Sequence, residues 1–168
     1  GEYEIKVSGK ALAYYSGSAV ATVSFEGNQN LAKFEGSFRE MFPVLPLIVG
    51  KLVDAPNFYR TFADCKNLKG EIPADLFPKG IYTSSLTSGI NPVFYQTFMG
   101  CSGLTGSIPA DLFAGVEGAP VDYLFSETFA GCSGLTGEIP EGLFATIKGA
   151  PAYAMFSGTF DGCSGLTG

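Results

Sequence analysis

Four cysteines, sixteen acidic side chains and no histidine set the chemistry open to this 168-residue chain. Without an imidazole, Ser-His-Asp and Cys-His catalysis are both absent, which leaves carboxylates as the common general acids and bases. Asp75 and Asp111 recur at one slot of a repeated motif, and Glu71 and Glu138 at another. A glycosidase-like pair would need two such groups about 5 to 9.5 Å apart. Their recurrence has a plainer reading: a solvated turn, or the capping of a helix start after the Ile-Pro. The cysteines form no Cys-x-x-Cys pair and have no histidine beside them, so no metal site is expected. The glycines follow the repeat rather than a phosphate-binding pattern, and no cofactor is expected.

The cysteines also show how the chain is organised. Cys65, Cys101, Cys132 and Cys163 stand 36, 31 and 31 residues apart, each inside a copy of one motif. Residues 125–144 read FSETFAGCSGLTGEIPEGLF. Residues 94–113 and 58–77 repeat them, and residues 156–168 repeat the first part. A period of this size with a fixed apolar skeleton predicts a stacked solenoid, because one unit cannot bury its own hydrophobic face and must lean on its neighbours. The structural core is then Phe62, Cys65, Leu68, Phe98, Cys101, Leu104, Phe129, Cys132, Leu135, Phe160, Cys163 and Leu166. Because every cysteine fills the same slot, buried free thiols are expected, although neighbouring slots about 5 Å apart leave a Cys101–Cys132 bridge within reach.

Elements must hold those slots in place. After Pro120, the residues Phe125, Phe129 and Cys132 fall at i, i+4 and i+7, which predicts a helix-like segment stopped by Gly131 and Gly134. Residues 135–139 should be short and extended, and Pro140 should open a second turn that carries Leu143 and Phe144 inward. Each unit would thus supply one parallel strand and one or two short helices. Sliding residues 34–53 by 24 sets Phe34, Phe38, Ile48 and Leu52 on Phe58, Phe62, Ile72 and Leu76, so this stretch reads as a degenerate first repeat. Residues 1–30 alternate instead, in YEIKV and AVATVSF, and predict an N-terminal β cap or anchor in front of a solenoid at 31–168.

Net charge is −6 and unevenly spread. Residues 1–79 hold nine acidic and nine basic side chains, whereas residues 80–168 hold seven acidic ones and only Lys148. Such a surface repels nucleic acid. No apolar run approaches the ~18 residues of a spanning helix, and no basic, apolar and small-residue signal pattern opens the sequence, so any export signal is expected to have been removed or to lie outside it.

The spacing Phe129, Cys132, Leu135 followed by Ile139-Pro140 resembles the BspA-like leucine-rich repeats of bacterial surface proteins, as does the MFSG of residues 155–158. The similarity covers residues 34–168. It implies an α/β solenoid, a right-handed stack with one strand of a parallel sheet per unit, displayed outside the cell or on its surface and used for adhesion or ligand binding. These units are longer than usual, and the strand is one residue shorter. A ligand, a protein or glycan of a host or bacterial surface, would be read by the variable slots. Those are Glu71, Ser107 and Glu138 in the strand and Tyr59 and Tyr95 opposite, with Arg60, Gln96 and Glu127 varying beside them. The last unit stops at Gly168 without its Ile-Pro, so either a longer array or self-association through this open end, in a filament or virion, is expected.

Overall fold

The computed structural model describes residues 24–33, 57–83 and 93–168. The expected degenerate repeat at 34–53 and most of the expected β cap lie outside these residues.

The apolar spacing decides which side chains point inward, and the structure piles them in columns. Phe58, Phe94, Phe125 and Phe156 stack with ring centroids 5.5, 5.6 and 5.8 Å apart. Phe62, Phe98, Phe129 and Phe160 form a second column at 5.4, 5.4 and 5.6 Å. Rings of a third column fill the steps of the first: Phe77 lies 4.7 Å from Phe58 and 4.9 Å from Phe94, and Phe113 lies 4.9 Å from both Phe94 and Phe125. Offset and tilted contacts of this kind add about 0.5–1.5 kcal/mol each beyond burial. Leu68, Leu104, Leu135, Ile72 and Ile108 are buried beside them.

Among the described residues there is no α-helix. Where the periodicity predicts one, at 122–132, the chain makes a run of tight turns. Thr128, Ala130 and Cys132 donate their N–H groups three residues back at 2.9–3.2 Å, while Phe125, Glu127, Phe129 and Gly131 donate theirs to Met155, Ser157, Thr159 and Asp161 of the next repeat at 2.7–2.9 Å. The third residue of every second turn has positive φ: 58° at Tyr123, 52° at Glu127 and 74° at Gly131. This is the conformation that a turn with φ > 0 at its third position requires. Residues four apart still share a face, so Phe125 and Phe129 point inward as a helix would place them; what differs is that half of the N–H groups reach the neighbouring repeat. Gly134 does not act as the expected stop either. It allows close approach, because a Cβ there would sit 2.3 Å from the Leu104 carbonyl oxygen.

Parallel contacts hold the other side of each repeat, and there are two per repeat where the sequence predicts one. The first joins Gly70 to Leu104, Gly106 to Leu135, and β3 (Gly137–Glu138) to β4 (Leu166–Thr167). The second joins β1 (Ile81–Tyr82) to β2 (Val116–Glu117), and Gly118 to Ile147.

A boundary at residue 30 cuts through the stack. Phe25 lies 5.6 Å from Phe62 at an 8° interplanar angle, extending the second column. Its N–H donates to Thr61 O and that of Gly27 to Ala63 O, the same lattice that joins the later repeats. FEGNQNL at 25–31 thus occupies the place of FADCKNL at 62–68, with Asn28 standing where the repeats carry cysteine.

Candidate functional site

Thiols and hydroxyls of the core are committed to the backbone. Cys65, Cys101, Cys132 and Cys163 are free and buried. Their Sγ–H groups donate to the carbonyls of Phe25, Phe62, Phe98 and Phe129 at 2.9–3.1 Å, one repeat back in each case. Burial pushes the Cys65 thiol up to about 11 and raises those of Cys101, Cys132 and Cys163 as well, so none is poised as a nucleophile. Thr97, Thr128 and Thr159 repeat the device, with hydroxyls donating to Phe58 O, Phe94 O and Phe125 O at 2.8–2.9 Å. Of the expected core, Phe62, Leu68, Phe98, Leu104, Phe129 and Leu135 are buried; Phe160 and Leu166 are partly so.

Two rows of variable side chains remain outside. Glu71, Ser107 and Glu138 are exposed, and each directly follows, or lies in, the first parallel contact. Glu71 leans over Gly106, where an added Cβ would meet its Cγ at 2.8 Å; Ser107 similarly faces Gly137, whose Cβ would lie 3.6 Å from its own. The structure therefore brings these three into one row along the stack.

Tyr59 and Tyr95, both half-buried, belong to a different row on the turn segments. Their rings stack at 5.5 Å and 8°. Sequence reasoning missed that the row continues: Tyr123 lies 6.3 Å from Tyr95 at 79°, and Tyr153 lies 5.5 Å from Tyr123 at 80°. A shift of 31 pairs Tyr123 with Ala154 rather than Tyr153, which hid the continuation.

Beside the tyrosines runs a polar chain. The Arg60 guanidinium donates to Glu26 Oε1 from Nε at 2.9 Å and from Nη2 at 2.8 Å, and also to Gln96 Oε1. Gln96 Nε2 then donates to Glu127 Oε2 at 2.8 Å. The hydrogen bond to Glu26 raises the Arg60 guanidinium further above its ordinary value. Burial and the Glu127 carboxylate raise the Tyr95 hydroxyl.

The recurring carboxylates Asp75 and Asp111 line one partly open cavity of about 350 Å³ together with Lys79, Ala74, Phe77, Ala114 and Gly115. Among the described residues, no three His, Cys, Asp or Glu side chains converge on a point where a metal ion would sit, and no helix is long and apolar enough to cross a membrane.

No protein family, curated protein or solved structure matches this chain.

Proposed function

We infer that the chain is a non-enzymatic binding or adhesion module, built as a leucine-rich-repeat type of solenoid and displayed outside the cell, that takes a protein or glycan of a cell surface. The observation that carries this reading is the row Glu71, Ser107, Glu138. Core slots repeat the same residue types while these exposed slots differ, on a backbone held by one hydrogen-bond lattice. Side chains on such a row change the surface chemistry without disturbing the columns beneath, which is the economy of repeat proteins that bind ligands. A hydrolase reading has less support. Asp75, Asp111 and Lys79 share a partly open cavity whose lining is more polar than apolar, whereas ligand-enclosing sites are predominantly apolar.

The test is a protein and glycan array probed with the intact chain and with the combined variant Glu71→Ala, Ser107→Ala, Glu138→Ala. Binding to a surface component that the triple variant loses, with its thermal midpoint unchanged, supports the module. An intact chain that captures nothing from either array counts against it.

A further inference from the structure

The tyrosine row runs beside turn residues of positive φ. The third-residue slot of the turns is taken by Gly158 in the last repeat, at φ 59°, with no penalty. In the earlier repeats the same slot holds Arg60, Gln96 and Glu127, at 49°, 54° and 52°, and Tyr123 occupies the preceding turn at 58°. Side chains with a Cβ pay a steric cost in this region. Ala154 keeps the same conformation at 48° with no side chain beyond Cβ, so positive φ belongs to the turn geometry of each repeat and sets where these side chains stand. All four lie on the row that carries Tyr59, Tyr95 and Tyr153.

Tyr153 is the most exposed large apolar side chain described, at 71%. Tyr123 stands perpendicular to both Tyr95 and Tyr153, so ring faces of different orientation meet along one edge. Carboxylates border them: Asp122 Oδ1 accepts the Tyr153 N–H at 3.0 Å, Glu127 faces Tyr95, and Asp161 is exposed in the next repeat. Among the described residues, no cationic side chain forms an ion pair with Asp122, Glu127 or Asp161. Arg60, whose charge reaches Tyr95, is engaged by Glu26 and Gln96, and Lys148, the one cationic side chain after residue 79, donates to Ala145 O on another segment. Aromatic faces rimmed by carboxylates attract cations by the ring quadrupole and by charge together.

The geometry points to a second contact surface, formed by Tyr95, Tyr123 and Tyr153 with Asp122 and Glu127, that takes the cationic side chains of a basic segment of a protein partner. It lies apart from the Glu71, Ser107, Glu138 row and stands without it. The test measures a labelled oligolysine peptide, and the same peptide with acetylated side chains, against the full chain by fluorescence anisotropy. The intact chain should bind the unmodified peptide and lose it as salt rises. Tyr153→Ala should weaken binding roughly threefold to tenfold, whereas Tyr153→Phe, which keeps the ring, should stay within about twofold. Asp122→Asn retains an acceptor for the Tyr153 N–H and removes only the charge, so it too should weaken binding. No binding by the intact chain, equal binding of the acetylated peptide, or an unchanged Tyr153→Ala overturns the proposal. So does competition by a neutral oligosaccharide, or loss of the peptide in the Glu71, Ser107, Glu138 triple variant.

Discussion

Between residues 125 and 133 every backbone N–H has an acceptor, alternately three residues back and in the next repeat, until Ser133 closes on Gly131. Between residues 134 and 139 the lattice thins. Thr136 reaches Gly106 O and Ile139 reaches Thr167 O, and side chains of the repeat above lie over glycines of the repeat below or the reverse. The turn side is thus spaced by aromatic rings 5.4–5.8 Å apart, and the strand side by close contact between backbones. One repeat height is enforced twice, once by bulk and once by the lack of it. The comparison explains why large residues and glycines recur with equal regularity in the motif.

Breaking the turn side should cost most. Phe129 is fully buried between Phe98 and Phe160 and beside Phe113. Phe129→Ala should destabilise by about 3–5 kcal/mol, because the columns on either side cannot collapse into the space, and chemical denaturation reads the loss directly. Gly134→Ala attacks the strand side. Its Cβ would meet the Leu104 and Ser102 carbonyls at 2.3 and 2.9 Å, and backbone cannot swing aside as a flexible side chain can. A loss of roughly 1–3 kcal/mol or more is expected. Gly142→Ala is the control: nothing lies within 4 Å of its added Cβ and its φ is not positive, so it should be neutral or stabilise by about 0.4–1 kcal/mol. If Gly134→Ala and Gly142→Ala behave alike, close contact does not set the repeat height.

The thiols sharpen the comparison through pH. Burial raises all four above their ordinary value, Cys65 to about 11. Above the ordinary thiol value the unfolded chain loses protons that the folded chain keeps. Stability is therefore full below about pH 9 and declines as pH rises through the folded values. Denaturation midpoints measured from pH 7 to 11 should fall in this window, and the double variant Cys101→Ala, Cys132→Ala should flatten the fall. Four free thiols should titrate after denaturation without reductant, while the folded chain reacts slowly; two or fewer would mean that the column of thiols is not formed. The smallest effect belongs to the strained slots. Ala154 has φ 48°, and Ala154→Gly should raise stability by up to about 1 kcal/mol, the relief of a left-handed Cβ less the entropy glycine loses.

The two exposed rows were legible to different degrees. Glu71, Ser107 and Glu138 stood out because the repeat is fixed around them, and differences inside a fixed motif are readable from one chain. Tyr123 and Tyr153 were not, because their rings meet without occupying equivalent positions: the 31-residue shift pairs Tyr123 with Ala154, and both have positive φ. Glu26, which anchors the polar chain at Arg60, sat in a stretch read as lying before the repeats.

The sequence by itself determined the spacing of the repeats and which side chains are interior, since Phe, Cys and Leu at constant offsets have one inward face whatever the backbone between them does. It also determined that the cysteines share a slot, from which direction rather than distance keeps them unbridged. Only the tertiary structure decided between helix and turns at 122–132. A helix and a succession of four-residue turns place Phe125 and Phe129 on the same side, so periodicity alone cannot separate them. The choice falls to hydrogen bonds that exist only when another repeat lies alongside: Phe125, Glu127, Phe129 and Gly131 find acceptors in the neighbour, and that gain outweighs positive φ at residues such as Glu127, which an isolated segment would avoid.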